Sequence, residues 1–465
     1  MSKTYRPWEP DQVLLLPPVL REWLPKGHLV YFIQETIDRL DLSAMTDVYE
    51  KEGRGYPPYH PQMMVGVLLY AYCKGVPSSR RIQQRLEEDV AFRVLSAGNT
   101  PDFRTISDFR KRHLKALKGL FVQVLRLCQK AGLVKLGHVA LDGTKMKANA
   151  SKHKAMSYGR MEKEEERLRN EVEALLRRAE DEDAREDALY GKDKRGDELP
   201  EELANRETRL KKIQEAKDAL KKEAAEKAEK KKKEIVTWEN TTPHRGRPPQ
   251  AADPTPLEKS QRNFTDPESR IMPNSDKAFI QGYNAQAVVD STCQLIVAED
   301  VTQQTNDKQQ AKPMMDQVPQ NTGQTPKKAS LDAGYFSEAN VEALQTDGID
   351  TFIPPDRQKH GQSPPPAPRG RPPKALTTAE RMRRKLQTKR GRAVYCMRKA
   401  IVEPVFGQIK QGRGFRQFLL RGLDNVKGEW SLICTTHNLL KLWSAGSSSN
   451  CLGRSNYNSR ADTVC

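Results

Sequence analysis

The sequence predicts a mixed α/β sheet domain preceded by a helical region and interrupted by a long helical hairpin. Three observations predict it. Short apolar runs at 139–142, 285–289 and 329–332 read as strands, and the later ones alternate with segments of helical period. Residues 160–235 turn abruptly to Glu, Lys, Arg and Ala with thin apolar stripes, the pattern of two long helices folded together. Residues 1–135 read as mainly helical.

Taken in order, Pro61 introduces an apolar helix in HPQMMVGVLLYAYCKG. Ser78 or Ser79 is the expected N-cap of the next helix, with Ile82, Leu86 and Val90 on one face. Thr105 or Ser107 is the expected cap of a basic helix bearing Arg110, Lys111, Arg112 and His113, and an amphipathic helix then ends near Gly132. Short arginine-bearing helices suit a DNA backbone or groove; they equally suit an ordinary helical domain with a solvated basic face. A strand at 138–142 leads into GTKMKANASKHK, read as a loop crowded with Lys145, Lys147, Lys152, His153 and Lys154, with His153 at the surface. The hairpin carries Leu168, Val172 and Leu175 on one helix and Leu203, Leu210, Ile213 and Leu220 on the other. It reads as a dimerisation arm, a DNA clamp or a solvated insertion. A Pro-rich basic linker covers 239–262, followed by hairpin strands around Ala285–Val289 and Leu295–Val301. A helix, the strand ending at Asp332, a helix capped by Ser337 and a strand at 350–353 follow, then basic helices to about Leu442 and a disordered tail from 443. The expected domains are a helical DNA-binding domain at 1–135 and a catalytic domain at 136–442, interrupted at 160–262.

Composition narrows the partners. The chain has 465 residues, a net charge of +18 and a pI near 9.5, a balance that favours nucleic acid first and an anionic membrane surface second. No run of 18 apolar residues and no signal-peptide core stand in the sequence, so no membrane span is expected. Seven cysteines lack CxxC spacing and point to reduced thiols; with no zinc pattern, any metal should be held by oxygen.

Two strands end in aspartate, at Asp142 in GHVALDGTK and Asp332 in KASLDAGY. Ligands of open α/β sheets gather at such strand ends. If the two strands are neighbours, the carboxylates meet there, and Glu403 in YCMRKAIVEPVFGQIK supplies a third from a helix. Oxygen donors in that number suit hard divalent cations acting on a phosphodiester. Asp266 and Glu268 in TDPESR are rivals, but Asp in a Thr-Asp-Pro turn reads as a turn former; Asp290 and Asp300 read as solvated. The tract RGRPP occurs at Arg245–Pro249 and at Arg369–Pro373; its Arg245, Arg247, Arg369 and Arg371 look like minor-groove contacts of an AT-hook core.

Together, ALDGTKMKANASKHK, NFTDPESRIM, QGYNAQAVVD, ASLDAGYFSEAN and YCMRKAIVEPVFGQIKQGRGFRQFLLRG resemble the Asp-Asp-Glu (DDE) transposases of bacterial insertion sequences. The resemblance spans most of residues 50–442, including a helical N-terminal transposase domain. It implies a ribonuclease-H-like sheet in which Asp142, Asp332 and Glu403 are catalytic and hold two Mg²⁺ ions, with Mn²⁺ able to substitute. It also implies DNA as partner, both terminal inverted repeats and target, a homodimer on paired ends, and a place in the bacterial cytoplasm at the nucleoid. The family signature at the third carboxylate is Tyr, two residues, Arg, three residues, Glu, six residues, Lys. Tyr395 and Arg398 keep the first gap, and Glu403 and Lys410 the last. Four residues separate Arg398 from Glu403, however, and Lys399 stands in the usual Arg position, so Arg398 or Lys399 is the basic partner. Lys410 is expected to grip a terminal phosphate, with Lys145, Lys147 and Tyr395 as further DNA contacts. The rival reading from another class is a non-catalytic, transposase-derived DNA-binding protein; a nuclease on the same fold without strand transfer is a third.

Overall fold

The computed structural model describes residues 19–50, 57–151, 154–190, 201–240, 250–274, 278–356, 366, 370, 373 and 376–449. Seven helices come first: α1 (Leu29–Ile37), α2 (Ser43–Glu50), α3 (Pro61–Cys73), α4 (Ser79–Glu88), α5 (Val90–Leu95), α6 (Phe103–Arg112) and α7 (Leu114–Lys130). Pro61 does open α3, where its missing N–H costs nothing. Ser78 precedes α4, as one of the two expected caps. The cap of α6 differs from expectation: Asp102, not Thr105 or Ser107, accepts from the Thr105 N–H at 2.7 Å, a carboxylate being the stronger acceptor at the positive end of a helix. Helix α3 is buried almost all round, because α1 and α5 lie on it and the last helix of the chain, α14 (Leu423–Ser449), covers it as well.

The remaining elements are β1 (Val139–Lys147), β2 (Ala155–Ser157), α8 (Tyr158–Tyr190), α9 (Glu201–Glu239), β3 (Gln261–Asn263), β4 (Arg270–Pro273), β5 (Phe279–Asp290), β6 (Ile296–Thr302), α10 (Ala311–Thr322), β7 (Lys328–Leu331), α11 (Glu338–Thr346), β8 (Asp350–Phe352), α12 (Thr378–Gln387) and α13 (Lys389–Gly407). The main sheet is mixed, with β5, β1, β7 and β8 side by side. β1 runs antiparallel to β5 and parallel to β7, which is parallel to β8. The outer edge of β5 is shared end to end: β4 pairs with its Phe279–Gly282 half and β6 with its Asn284–Val289 half.

Two expectations need correction here. β1 does not stop at Asp142: GTKMK, read as loop, continues the strand, pairing Lys147 with Gly282 and burying Met146. The alternation Thr-Lys-Met-Lys leaves one side chain per pair to pack inward, and β5 supplies the backbone partner. The tail expected from residue 443 begins instead as helix, since α14 runs on to Ser449; residues 450–465 lie outside the described residues.

One apolar core runs without a break from Val30 in α1 through the sheet to Leu439 in α14, crossing the boundary expected at residue 135. α14 makes this possible by packing on α3, α7 and β6 together. A second, small core sits in the hairpin, where Met161 and Leu168 of α8 meet Ile213, Ala216 and Leu220 of α9. The short β2–β3 ladder lies at the root of that hairpin.

Two glycines report on the helical seam in opposite directions. A Cβ on Gly428 of α14 would lie 2.5 Å from Leu114 Cγ, whereas one on Gly119 of α7 would meet nothing within 4 Å. Gly428→Ala should therefore lower stability by about 1–3 kcal/mol, and Gly119→Ala should raise it by about 0.5–1 kcal/mol through helix propensity. Urea midpoints of the two variants check both signs.

Candidate active site

The parallel pairing of β1 with β7 sets the site. Leu141 lies beside Leu331, so Asp142 and Asp332 follow side by side. β7 ends there while β1 continues, which opens the sheet next to Asp142. Asp142 Oδ1 accepts from the Gly143 N–H at 2.8 Å, and Oδ2 accepts from Arg398 Nη1 at 2.7 Å. The other arm of the same guanidinium, Nη2, lies 3.6 Å from Asp332 Oδ1. Two carboxylates 190 positions apart in the chain thus share one positive charge.

Helix α13 delivers that charge. Thr388 caps it by accepting from the Gly391 N–H at 3.0 Å, and Gly391, Arg398, Ile401, Val402 and Val405 form its buried stripe. Pro404 lies inside the helix and cannot donate to the Ala400 carbonyl. Gln294 Nε2, from the β5–β6 turn, donates to that oxygen instead, at 3.0 Å. Arg398 is turned inward and Lys399 outward. The Arg398 side chain is only 9% exposed and its Nε has no hydrogen-bond partner, so both contacts to aspartate are made by the fork of the guanidinium. Tyr395 lies 5.9 Å from the same guanidinium, ring to cation, and burial pushes its hydroxyl up to about 12.

After Gly407 the chain makes one π-helical turn, Gln408–Gly412, which swings Lys410 onto β1. Lys410 Nζ donates to Thr144 Oγ1 and, at 3.0 Å, to the Lys145 carbonyl. Burial lowers its pKa. Arg398 and Lys410 therefore hold two successive same-face positions of β1, Asp142 and Thr144.

The opposite face of β1 is built differently. A Cβ on Gly143 would lie 2.4 Å from Gln286 Nε2 and 3.0 Å from Asp307 Oδ1, so glycine lets this group approach beside Asp142 without displacement. Asp307 Oδ1 accepts from Asn284 Nδ2 at 2.5 Å and Gln286 Nε2 at 2.8 Å, and pairs with Lys145 Nζ at 3.5 Å. Tyr335 OH donates to Gln286 Oε1. Asn284, Gln286, Asp307 and Tyr335 were not singled out from sequence. The polar residues at alternate positions of the apolar run YNAQAVV were the available signal.

Glu403 is exposed, and among the described residues its side chain makes no ion pair or hydrogen bond. Five residues on from Arg398, it lies about 140° round the helix from the inward face. Lys147 is also exposed. Asp266 is wholly buried and accepts from Tyr283 OH at 2.8 Å, and Glu268 accepts from the Leu423 N–H at 2.6 Å; both tie strands to the start of α14. Asp290, expected to be solvated, is buried and accepts from the Leu136 N–H at 3.0 Å, closing the strand end where β1 enters the sheet. Arg245, Arg247, Arg369, Arg371 and His153 lie outside the described residues.

Burial pushes the Asp142 carboxyl up to about 6, against the pull of Arg398 and the Gly143 N–H. Its oxygen donors and those of Asp332 suit a hard cation. Among the described residues no three His, Cys, Asp or Glu side chains stand close enough to hold a metal ion, and no helix is long and apolar enough to cross a membrane.

Arg398→Met should leave two facing carboxylates with no counter-charge. The fold should lose about 3 kcal/mol and the Asp142 carboxyl should rise above its present value of about 6. The deficit should shrink as pH falls below neutrality, because protonation removes the uncompensated charge. Urea unfolding at stepped pH and carboxyl carbon NMR measure the two effects.

Comparison with known families adds two matches. A transposase domain family of the DUF772 type matches residues 18–112, and a transposase DDE domain family matches residues 244–439. The first covers the helices through α6, and the second covers the sheet from β3 to α14 and includes Asp332, Arg398, Glu403 and Lys410. The strand bearing Asp142 lies between them. No curated protein and no solved structure matches the chain.

Proposed function

Because this chain belongs to the DDE transposases, we propose that it binds the terminal inverted repeats of an insertion sequence and cleaves and joins DNA strands at Asp142, Asp332 and Glu403. The observation that carries the reading is the single guanidinium shared by Asp142 and Asp332. Carboxylates at two neighbouring strand ends are brought to one cation supplied by a helix, which is what a charge-handling centre requires. We read the sheet as ribonuclease-H-like, with the β6–β5–β1–β7–β8 succession as its basis.

Asp142 and Asp332 would hold divalent cations, Mg²⁺ or Mn²⁺, with Glu403 as the third carboxylate. Such ions supply charge stabilisation at the phosphate and lower the pKa of an attacking water. The chain's own residues do the rest. Arg398 ties the two aspartates to one positive charge, and its planar fork also matches a phosphate. Lys410 and Tyr395 stand on the same side to orient the DNA end. Water acts as nucleophile in the first displacement, and the freed 3′-hydroxyl acts in the second, against target DNA. A homodimer on paired ends follows from two ends needing two centres.

A second reading has its own support. The exposed position of Glu403 favours a DNA-binding relative that does not cut. End-containing duplex with Mg²⁺ or Mn²⁺ separates the two. Asp142→Asn and Asp332→Asn should each lower cleavage by at least about 10³-fold, or about 4 kcal/mol, while binding persists. Glu403→Gln should do the same if the enzyme reading holds. Wild-type protein that binds ends and never nicks them would leave only the binding reading.

Cation binding should depend on pH. The charged carboxylate is the ligand, so affinity should rise with pH through about 6, the Asp142 value, and should fall roughly tenfold per unit below it for one coupled proton. Calorimetric titration with Mn²⁺ at several pH values measures this, and Asp142→Asn should flatten the curve.

A further inference from the structure

Helix α9 changes character along its length. Its first half is consumed by α8: Arg206 pairs with Glu171 at 3.1 Å, Arg209 with Glu164 at 2.8 Å and Lys217 with Glu165 at 3.1 Å. Its apolar residues there, Ile213, Ala216 and Leu220, are buried on Met161 and Leu168. α8 begins at Tyr158, whose ring lies under Lys217, so α9 leaves its partner behind and continues another turn to its anchor, Glu223. Glu223 Oε1 accepts from Arg262 and Arg270, each at 2.8 Å, which ties the helix to β3 and β4. Arg270 pairs across β4–β5 with Gly282, and Gly282 pairs with Lys147 at the end of β1, the strand that carries Asp142. Around this anchor and beyond it the helix is lysine-rich. Lys221, Lys222, Lys227 and Lys230–Lys233 are exposed, and among the described residues none of them has an ion pair. Ala228 is buried, so this stretch is still seated on the protein.

We propose that α9 from Lys221 to Lys233 is a cationic track for the phosphate backbone of duplex DNA running past the end of β1. The inference rests on the reading of this protein as one that handles DNA ends, and gives the insertion its part in it. Residues 221–233 carry seven exposed lysines against Glu223, Glu226 and Glu229, a net charge of +4, and this excess gains from a polyanion, whose condensed counterions it releases. A second copy of the chain fits this surface less well. Within the described hairpin the stripe of apolar residues is spent internally, and Val236 is the one large hydrophobic residue exposed.

The test is the salt dependence of binding. Consecutive residues step about 100° round a helix, so about two of Lys230–Lys233 can face one duplex. Replacing all four with Gln, a good helix former, should lower the magnitude of the slope of log K against log salt by about 2. A long duplex of arbitrary sequence is the probe, titrated by fluorescence anisotropy between roughly 50 and 200 mM salt. Lys→Arg at the same four positions should restore the wild-type slope, and circular dichroism should show an unchanged helix in both variants. A Gln variant with the wild-type slope overturns the track. So does a slope change that sedimentation traces to altered self-association, since the lysines would then be a contact between copies. Cutting activity with an unchanged slope removes the track alone. A lowered slope in a protein that binds but never cuts leaves the track standing and removes the catalytic reading.

Discussion

The site depends on one cation held between two anions. Without Arg398, the parallel pairing of β1 and β7 would set Asp142 against Asp332 in a place where burial already disfavours charge. The guanidinium resolves that conflict, and the structure spends several features on placing it: the Thr388 cap, the buried stripe of α13, and Gln294, which takes up the carbonyl left free by Pro404. A lysine could not do the same work, because its point charge cannot reach two carboxylates through separate arms.

The second constraint is that β1 is loaded on both faces. Asp142 and Thr144 face the basic groups of α13 and its π-helical extension; Gly143 and Lys145 face the amides of β5 and the carboxylate of Asp307. Alternation along one strand thus keeps two polar systems apart across a single backbone thickness. Glycine at 143 favours this, since a Cβ there would push aside the ends of Gln286, Asn284 and Asp307.

How much of this could be read beforehand varies from residue to residue. The strands before Asp142 and Asp332, the β5–β6 hairpin and the Ser337 cap follow from local pattern, because a short apolar run or a capping hydroxyl needs only its neighbours. The continuation of β1 does not, because Thr-Lys-Met-Lys is basic enough to pass for loop until β5 supplies a partner. The choice between Arg398 and Lys399 as the residue facing the sheet is a matter of helix phase. Two adjacent basic residues differ by about 100°, and only the packing of Ile401, Val402 and Val405 says which way is in. The burial of Asp290 is not legible locally because its partners, the N–H groups of Lys135 and Leu136 before β1, are 155 and 154 residues away in sequence. The polar cluster around Asp307 was hidden for the same reason, its members coming from three separate segments.

Helix α14 lies against α3, α7 and β6 at once, and its Asn438 both donates to and accepts from the backbone of Ile296. The consequence is mechanical. Among the described residues the early helices and the sheet share one apolar core, with α14 packed on both. Strain applied to either part is borne by the same packed interior.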